Sequence, residues 1–296
     1  MRSDFIELPS FAKVNLTLRV LGKRDDGFHE VLTVLQSVSL HDTIRFESNA
    51  EDIVLTCDDP RIPTDRDNIV VRAADKLSSR FEVAAGATIH LEKRIPSPGG
   101  LGGGSSNAAV SLLALNKLWG IEADLTELQR IAAELGSDVP FFLHGGVAIG
   151  TGTGSTIEPI KDMENRGMII VTPYFAVSTA AAYATLAAPT LTKLRAESTL
   201  TNYHSAAQEG FEAVNDLEKT VFAAFPEIGI AKNRLLELGA KTALMSGSGA
   251  SVFGIFDNEE TRQTALKALG EQTNWRSFAV AAISRSKYRD ALERVI

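Results

Sequence analysis

Pro96-Ser97-Pro98-Gly99-Gly100-Leu101-Gly102-Gly103-Gly104-Ser105-Ser106-Asn107-Ala108-Ala109 places five glycines within the six positions 99–104, directly ahead of an apolar run. Glycine lets backbone N–H groups turn toward a bound group and removes side chains that would block it. A serine or asparagine at the start of the following helix, read from about Ser105 to Trp119, can cap it. The free amides there and the helix dipole favour an anion. The stretch therefore reads as a phosphate cradle, and its stiff Pro96-Ser97-Pro98 lead-in argues against a plain connector. Two commoner phosphate motifs fail. A Walker loop needs Gly-Lys-Ser/Thr, whereas Gly104 is followed by Ser105. A dinucleotide fingerprint starting at Gly100 needs a glycine where Ser105 stands.

Upstream of the glycines the chain reads mainly as strands. Val14, Leu16, Leu18 and Val20 alternate with Lys13, Asn15, Thr17 and Arg19, which predicts a half-buried strand. A charged turn over Gly22–Gly27 leads to strands over Leu32–Ser39 and Thr43–Glu47. Ile69, Ala73, Leu77 and Phe81, four apart, predict a helix over Asn68–Phe81, and Ala87–Glu92 reads as a strand. Downstream, Leu125–Leu135 is a second helix and Phe141–Ile149 a strand entering a Gly/Thr turn. Beyond it the pattern predicts strands at Met168–Thr172, Thr242–Met245, Ser251–Phe256 and Ser277–Ser284. Helices are read at Ser178–Leu186, on either side of Pro226 within Asp216–Leu238, and at Glu259–Leu269. Strands and helices mix without regular βαβ alternation, so the fold class is α+β. The break near Thr151–Ile160 divides the chain into two expected domains, 1–155 and 156–296.

Bulk properties narrow the function. The chain has 296 residues, is 44% hydrophobic and 23% charged, and carries a formal net charge of −7. That balance argues against a nucleic-acid or membrane-surface protein. An anionic ligand would have to be held by local devices. Cys57 is the single cysteine, Met1–Glu7 has no apolar leader core, and no run approaches a membrane span. These features predict a cytoplasmic protein. His41, His90, His144 and His204 show no metal-ligand spacing. The sequence leaves monomer and homodimer equally open.

Other residues invite chemistry with less force on their own. Lys13 and Asn15 share one strand face and emerge about 6.5–7 Å apart, which suits gripping a small ligand and equally suits a solvated face. Asp138, ahead of Val139-Pro140, fits an ionised base or a turn cap. Asn68 fits a helix cap. A lone His29 is more often structural, Tyr183 fits core packing, and Gly247-Ser248-Gly249 fits a tight turn.

The stretch 96–109 closely resembles the phosphate loop of the galactokinase–homoserine kinase–mevalonate kinase–phosphomevalonate kinase (GHMP) superfamily. Its triple glycine before Ser105-Ser106 is similar to members that act on a cytidine diphosphate-linked alcohol. Further segments resemble the same members: Phe11-Ala12-Lys13-Val14-Asn15-Leu16, Asp26-Gly27-Phe28-His29-Glu30, Gly136-Ser137-Asp138-Val139-Pro140-Phe141-Phe142, Asn215-Asp216-Leu217-Glu218 and Met245–Phe253. Three positions depart from the usual pattern. Pro98 stands in place of glycine, Phe11 in place of proline, and Phe28 in place of tyrosine.

The resemblance implies a two-domain kinase with its active site in the cleft between domains, using ATP and Mg²⁺ on a small cytidine diphosphate substrate. It implies a catalytic pair, Lys13 and Asp138. It places the nucleotide on Asn68, Pro98, Gly99, Gly100, Leu101, Gly102, Gly103, Gly104, Ser105 and Ser106, with the Ser106 hydroxyl as a metal contact. The substrate falls to Asn15, Phe28, His29, Thr179 and Tyr183, with the base between aromatic rings. Two rivals are a superfamily kinase for another alcohol, such as mevalonate or homoserine, and a non-catalytic binder. The Gly27-Phe28-His29 turn speaks against the first, and the presence of both Lys13 and Asp138 against the second.

Overall fold

The computed structural model describes residues 5–50, 52–162, 166–184, 212–272, 274–293 and 295. Two long antiparallel strands form its spine, β1 (Phe5–Lys23) and β2 (His29–Asn49), joined by the charged turn. Their register runs from Phe5 opposite Glu47 to Lys23 opposite His29, with shifts at Phe11/Ala12, Asn15/Thr17 and Val20/Gly22. Such shifts bend a strand and increase its twist. One sheet of the described residues is ordered β3 (Ile53–Cys57), β4 (Gly86–Glu92), β2, β1, β8 (Val214–Asn215). The hairpin β5 (Val147–Thr151) and β6 (Thr156–Pro159) joins it on β2, so the stretch 151–160 is sheet rather than linker. The second sheet is antiparallel, ordered β11 (Trp275–Ala281), β7 (Gly167–Pro173), β10 (Val252–Phe256), β9 (Thr242–Met245).

The helices form where spacing and caps agree. In α1 (Ile69–Arg80), Val70, Ala73, Ala74 and Leu77 are buried, and the Asn68 side chain accepts from Val70 N at 2.9 Å. In α3 (Leu125–Leu135) Asp124 accepts from Glu127 N at 2.8 Å. The helix after the glycines, α2 (Gly103–Leu118), is buried on nearly every side, as an all-round apolar helix must be. It starts two residues earlier than the sequence predicts, and no serine or asparagine caps it. Gly102 takes the N-cap position at φ +70°, a left-handed conformation that glycine adopts without strain, and no side chain claims the first-turn amides. The second half adds α4 (Thr179–Ala184), α5 (Glu218–Ala224), α6 (Pro226–Glu237), α7 (Glu259–Gly270) and α8 (Arg285–Ala291). The rest of the helix read to Leu186, and His204, lie outside the described residues.

Two further expectations change. Phe141–Ile149 is not one strand: Val139–Leu143 is a 3-10 turn and only Val147–Thr151 is strand. Pro140 at the head of that turn presets its backbone, and this overrides the aromatic β preference of Phe141 and Phe142. Nor is β1 half-buried. Val14 and Leu16 pack with Ile170 and Phe253 of the second sheet, while Lys13, Asn15 and Thr17 are also nearly inaccessible. The polar face looks into the molecule. That is tolerable because its groups bond one another.

Candidate active site

Lys13, Asn15, Thr17 and Thr33 form a connected polar line. Lys13 Nζ donates to Asn15 Oδ1 at 2.7 Å, and Asn15 Nδ2 donates to Thr33 Oγ1 at 2.8 Å. Thr33 Oγ1 donates in turn to the Thr17 carbonyl at 2.7 Å. Lys13 Nζ also lies 3.2 Å from Asp138 Oδ2, the lysine side chain 3% exposed and the aspartate 33%. Asp138 does precede the 3-10 turn, yet its side chain makes no cap bond there. Its carboxylate lies against the lysine instead.

Above this pair lies a cleft of about 830 Å³. Its lining brings together Lys13, Asn15, Phe28, His29, Pro98–Ser105, Asp138, Thr179 and Tyr183. The glycine loop closes one wall and is fastened from two sides. Lys13 N donates to the Leu101 carbonyl at 2.9 Å. From the second half, Ser246 Oγ donates to the Gly100 carbonyl at 2.9 Å and Ser251 N to the Gly99 carbonyl at 3.2 Å. Gly100 has φ +73°, and a Cβ there would lie 2.1 Å from the Ser246 carbonyl oxygen. The glycine is thus required by the seam between the halves. Asn215 Nδ2 donates to the Met245 and Gly247 carbonyls, both at 2.8 Å, and so holds the facing glycine turn. Thr179 and Ser248 hydroxyls meet at 2.8 Å across the same wall.

The opposite end of the cleft is aromatic. Phe28 is 64% exposed, and the His29 and Tyr183 rings face each other with centroids 5.3 Å apart and planes 33° from parallel. Burial, aided by the nearby Asp138 charge, pushes the Tyr183 phenol up to about 12, so it remains protonated. Burial and the Lys23 ammonium push His29 below its ordinary value, so near neutral pH it is an uncharged imidazole.

Two sequence-derived candidates fall outside the lining. Asn68 is buried with its amide donating to the Pro63 carbonyl at 2.6 Å, and Ile69 rather than Asn68 meets the cleft. Ser106 is fully buried and its Oγ accepts from Ser10 Oγ at 2.7 Å, whereas Ser105 reaches the cleft. The sequence reading passed over a buried cluster under the loop. Asp42 is ion-paired with Lys93 and accepts from Asn107 Nδ2 at 3.0 Å and from the Arg94 and Ile95 amides at 2.7 and 2.8 Å. Asn107 continues to Ser10 Oγ at 3.0 Å. Thr33, Lys23 and Thr153 in the lining were passed over too. Isolated polar residues in separate strands carry no spacing signal. Only the alternation of Lys13 and Asn15 with apolar neighbours marked this face at all.

Comparison with known proteins gives the family. The GHMP kinases N terminal domain matches residues 68–146, and the GHMP kinases C terminal domain matches residues 200–274. A 4-diphosphocytidyl-2-C-methyl-D-erythritol kinase of Syntrophus aciditrophicus (strain SB) is 41% identical over 278 residues, 94% of this chain and 99% of that protein. One from Pelotomaculum thermopropionicum is 42% identical over 262 residues, 86% and 91% of the two chains. A crystal structure of 4-(cytidine 5'-diphospho)-2C-methyl-D-erythritol kinase superposes with TM-score 0.74 at 34% identity, covering 94% of this chain and 99% of its own. Homoserine kinase from Cytophaga hutchinsonii, at 20% identity and TM-score 0.68 over 96% of both chains, shares the fold. The two matched domains and these relatives place the chain among the ATP-dependent small-molecule kinases of the GHMP class. Within that class the chain belongs to the 4-diphosphocytidyl-2-C-methyl-D-erythritol kinase family.

Proposed function

We propose that the chain transfers the γ-phosphate of ATP to the 2-hydroxyl of 4-diphosphocytidyl-2-C-methyl-D-erythritol, a step of the non-mevalonate route to isoprenoid precursors, with Lys13 and Asp138 as the reacting pair. The observation that carries this reading is the 3.2 Å contact of Lys13 and Asp138 in one cleft with the glycine loop and the His29–Tyr183 rings. The acceptor oxygen forms its bond to the γ-phosphorus as the bridge to the β-phosphate breaks, and ADP leaves. The hydroxyl proton passes to the Asp138 carboxylate, 3.2 Å from the Lys13 ammonium. Lys13 also offsets charge on the attacking oxygen and the transferred group. A loose transition state gains most from such placement and electrostatics.

Among the described residues, Asp138 is the one acidic side chain in the cleft lining, and no group of three His, Cys, Asp or Glu could hold a metal ion. That donor set fits a Mg²⁺ that arrives on the nucleotide, since Mg²⁺ uses one or two carboxylates together with phosphate oxygens. Such an ion would neutralise charge on the phosphates. The uncapped amides at Gly103 and Gly104 suit those phosphates, and the neutral His29 imidazole with Phe28 and Tyr183 suits a cytosine. No described helix is long and apolar enough to cross a membrane, in keeping with a cytoplasmic enzyme. A substrate panel tests the reading. With ATP and Mg²⁺ the purified chain should turn over the cytidyl alcohol far faster than mevalonate or homoserine, and comparable rates would sink it.

A further inference from the structure

Neither the cleft nor the sheet order accounts for Phe11, two residues ahead of Lys13. Its ring is 8% exposed and lies 5.4 Å, centroid to centroid, from the ring of Tyr288 on α8. Tyr288 is the one buried residue of that seven-residue helix and is fully enclosed. Its hydroxyl donates to the Phe142 carbonyl at 2.7 Å. Burial drives the phenol pKa well up, so it is a donor at every working pH. Phe142 belongs to the 3-10 turn that starts one residue after Asp138. Gly145, just past that turn, is so close that a Cβ would lie 2.2 Å from Tyr288 Cγ. The ring of Phe142 continues the contact toward the chemistry. A Cβ on Gly102 would stand 2.8 Å from Phe142 Cζ and 3.0 Å from Lys13 Cγ, so loop, turn and lysine stem converge on one point.

One side chain from the far end of the chain thus touches both segments that bear the reacting pair. We propose that Tyr288 is a positioning residue for phosphoryl transfer, holding the Asp138 turn through Phe142 and the Lys13 strand through Phe11. This rests on the reading of Lys13 and Asp138 given above. Tyr288 touches no reacting atom. Its effect is on the separation and aim of the pair, to which rate is steeply sensitive, since a displacement of about 1 Å can cost roughly a hundredfold.

The test compares Tyr288→Phe and Tyr288→Leu with the parent chain, each assayed well below its own melting temperature. Tyr288→Phe keeps the ring and removes the bond to Phe142. It should lower kcat roughly five- to twentyfold while the KM values for ATP and for the cytidyl alcohol stay within about twofold. Tyr288→Leu should lower kcat further, and if it does not fold, the phenylalanine variant decides alone. A Tyr288→Phe chain that melts lower but keeps its kcat overturns the proposal and leaves Tyr288 as core filling. So does a change carried by the KM for ATP instead of kcat. Asp138→Asn is the control. If it stays active, the reading of the pair is at fault; if it is dead and Tyr288→Phe is unimpaired, only the role of Tyr288 is.

Discussion

The two ends of the cleft are built on opposite plans. At the phosphate end the charged pair and the loop carbonyls are already committed: Lys13 to Asn15 and Asp138, the Leu101 carbonyl to Lys13 N, and the Gly100 carbonyl to Ser246. At the aromatic end, Phe28 leaves most of its surface to solvent. The turn beneath it is held by Arg24, which reaches Asp26 at 3.0 Å and Glu30 at 2.6 Å. The chemistry at each end explains the contrast. Donors and charges aimed at a transition state help most when they need not reorganise. Stacking tolerates a range of geometries, so its partners can be left for the ligand to complete.

Three substitutions probe this difference. The largest effect falls at the committed end: Asp138→Asn should cut kcat by roughly 10²–10⁴-fold with ATP affinity nearly unchanged. A variant that retains most of its turnover would reduce Asp138 to a turn residue. Next, at the open end, Tyr183→Ala removes one stacking face worth about 1–3 kcal/mol. The KM for the cytidyl alcohol should rise roughly five- to a hundredfold, and that for ATP should not move. If both constants rise together, the two ends are not independent and the contrast fails.

The smallest effect is a titration. His29 has its pKa lowered from the usual 6.5 by burial and by Lys23. As pH falls the unfolded chain takes up this proton first, so the contribution of His29 to stability is present above about 6.5 and is lost below it. In His29→Gln the decline of melting temperature between about pH 7 and 5.5 should be shallower by roughly 1–2 °C. An identical decline in both chains would mean that the ring is more open to water than its packing on Tyr183 implies.

Legibility in the sequence followed the range of the forces involved. The helices α1 and α3 could be read because apolar spacing is local, as is the Asn68 cap of α1. Lys13 could be singled out because it interrupts an apolar alternation. Its burial could not, since that depends on Asp138 arriving from 125 residues away, the difference between positions 13 and 138. Phe141 and Phe142 misled because aromatic residues favour strands until a preceding proline fixes the turn. Thr33 and Ser10 each sit alone among apolar neighbours and Asp42 between His41 and Thr43; Ser10 and Asp42 meet through Asn107, and Thr33 meets Asn15, only in three dimensions. Tyr288 lies in the charged run Ser284-Arg285-Ser286-Lys287-Tyr288-Arg289-Asp290, which reads as surface.

The glycine loop has a last consequence for anyone who would borrow it. Its carbonyls at Gly99 and Gly100 are fastened by Ser251 and Ser246, and Leu101 by the backbone of Lys13. A cassette cut at Pro96 and Ser106 would leave these fasteners behind, together with the Ser246 carbonyl that crowds Gly100. The motif looks portable on paper because it is contiguous. Its shape is written jointly by the two halves of the chain, so a graft would transfer the letters without the conformation.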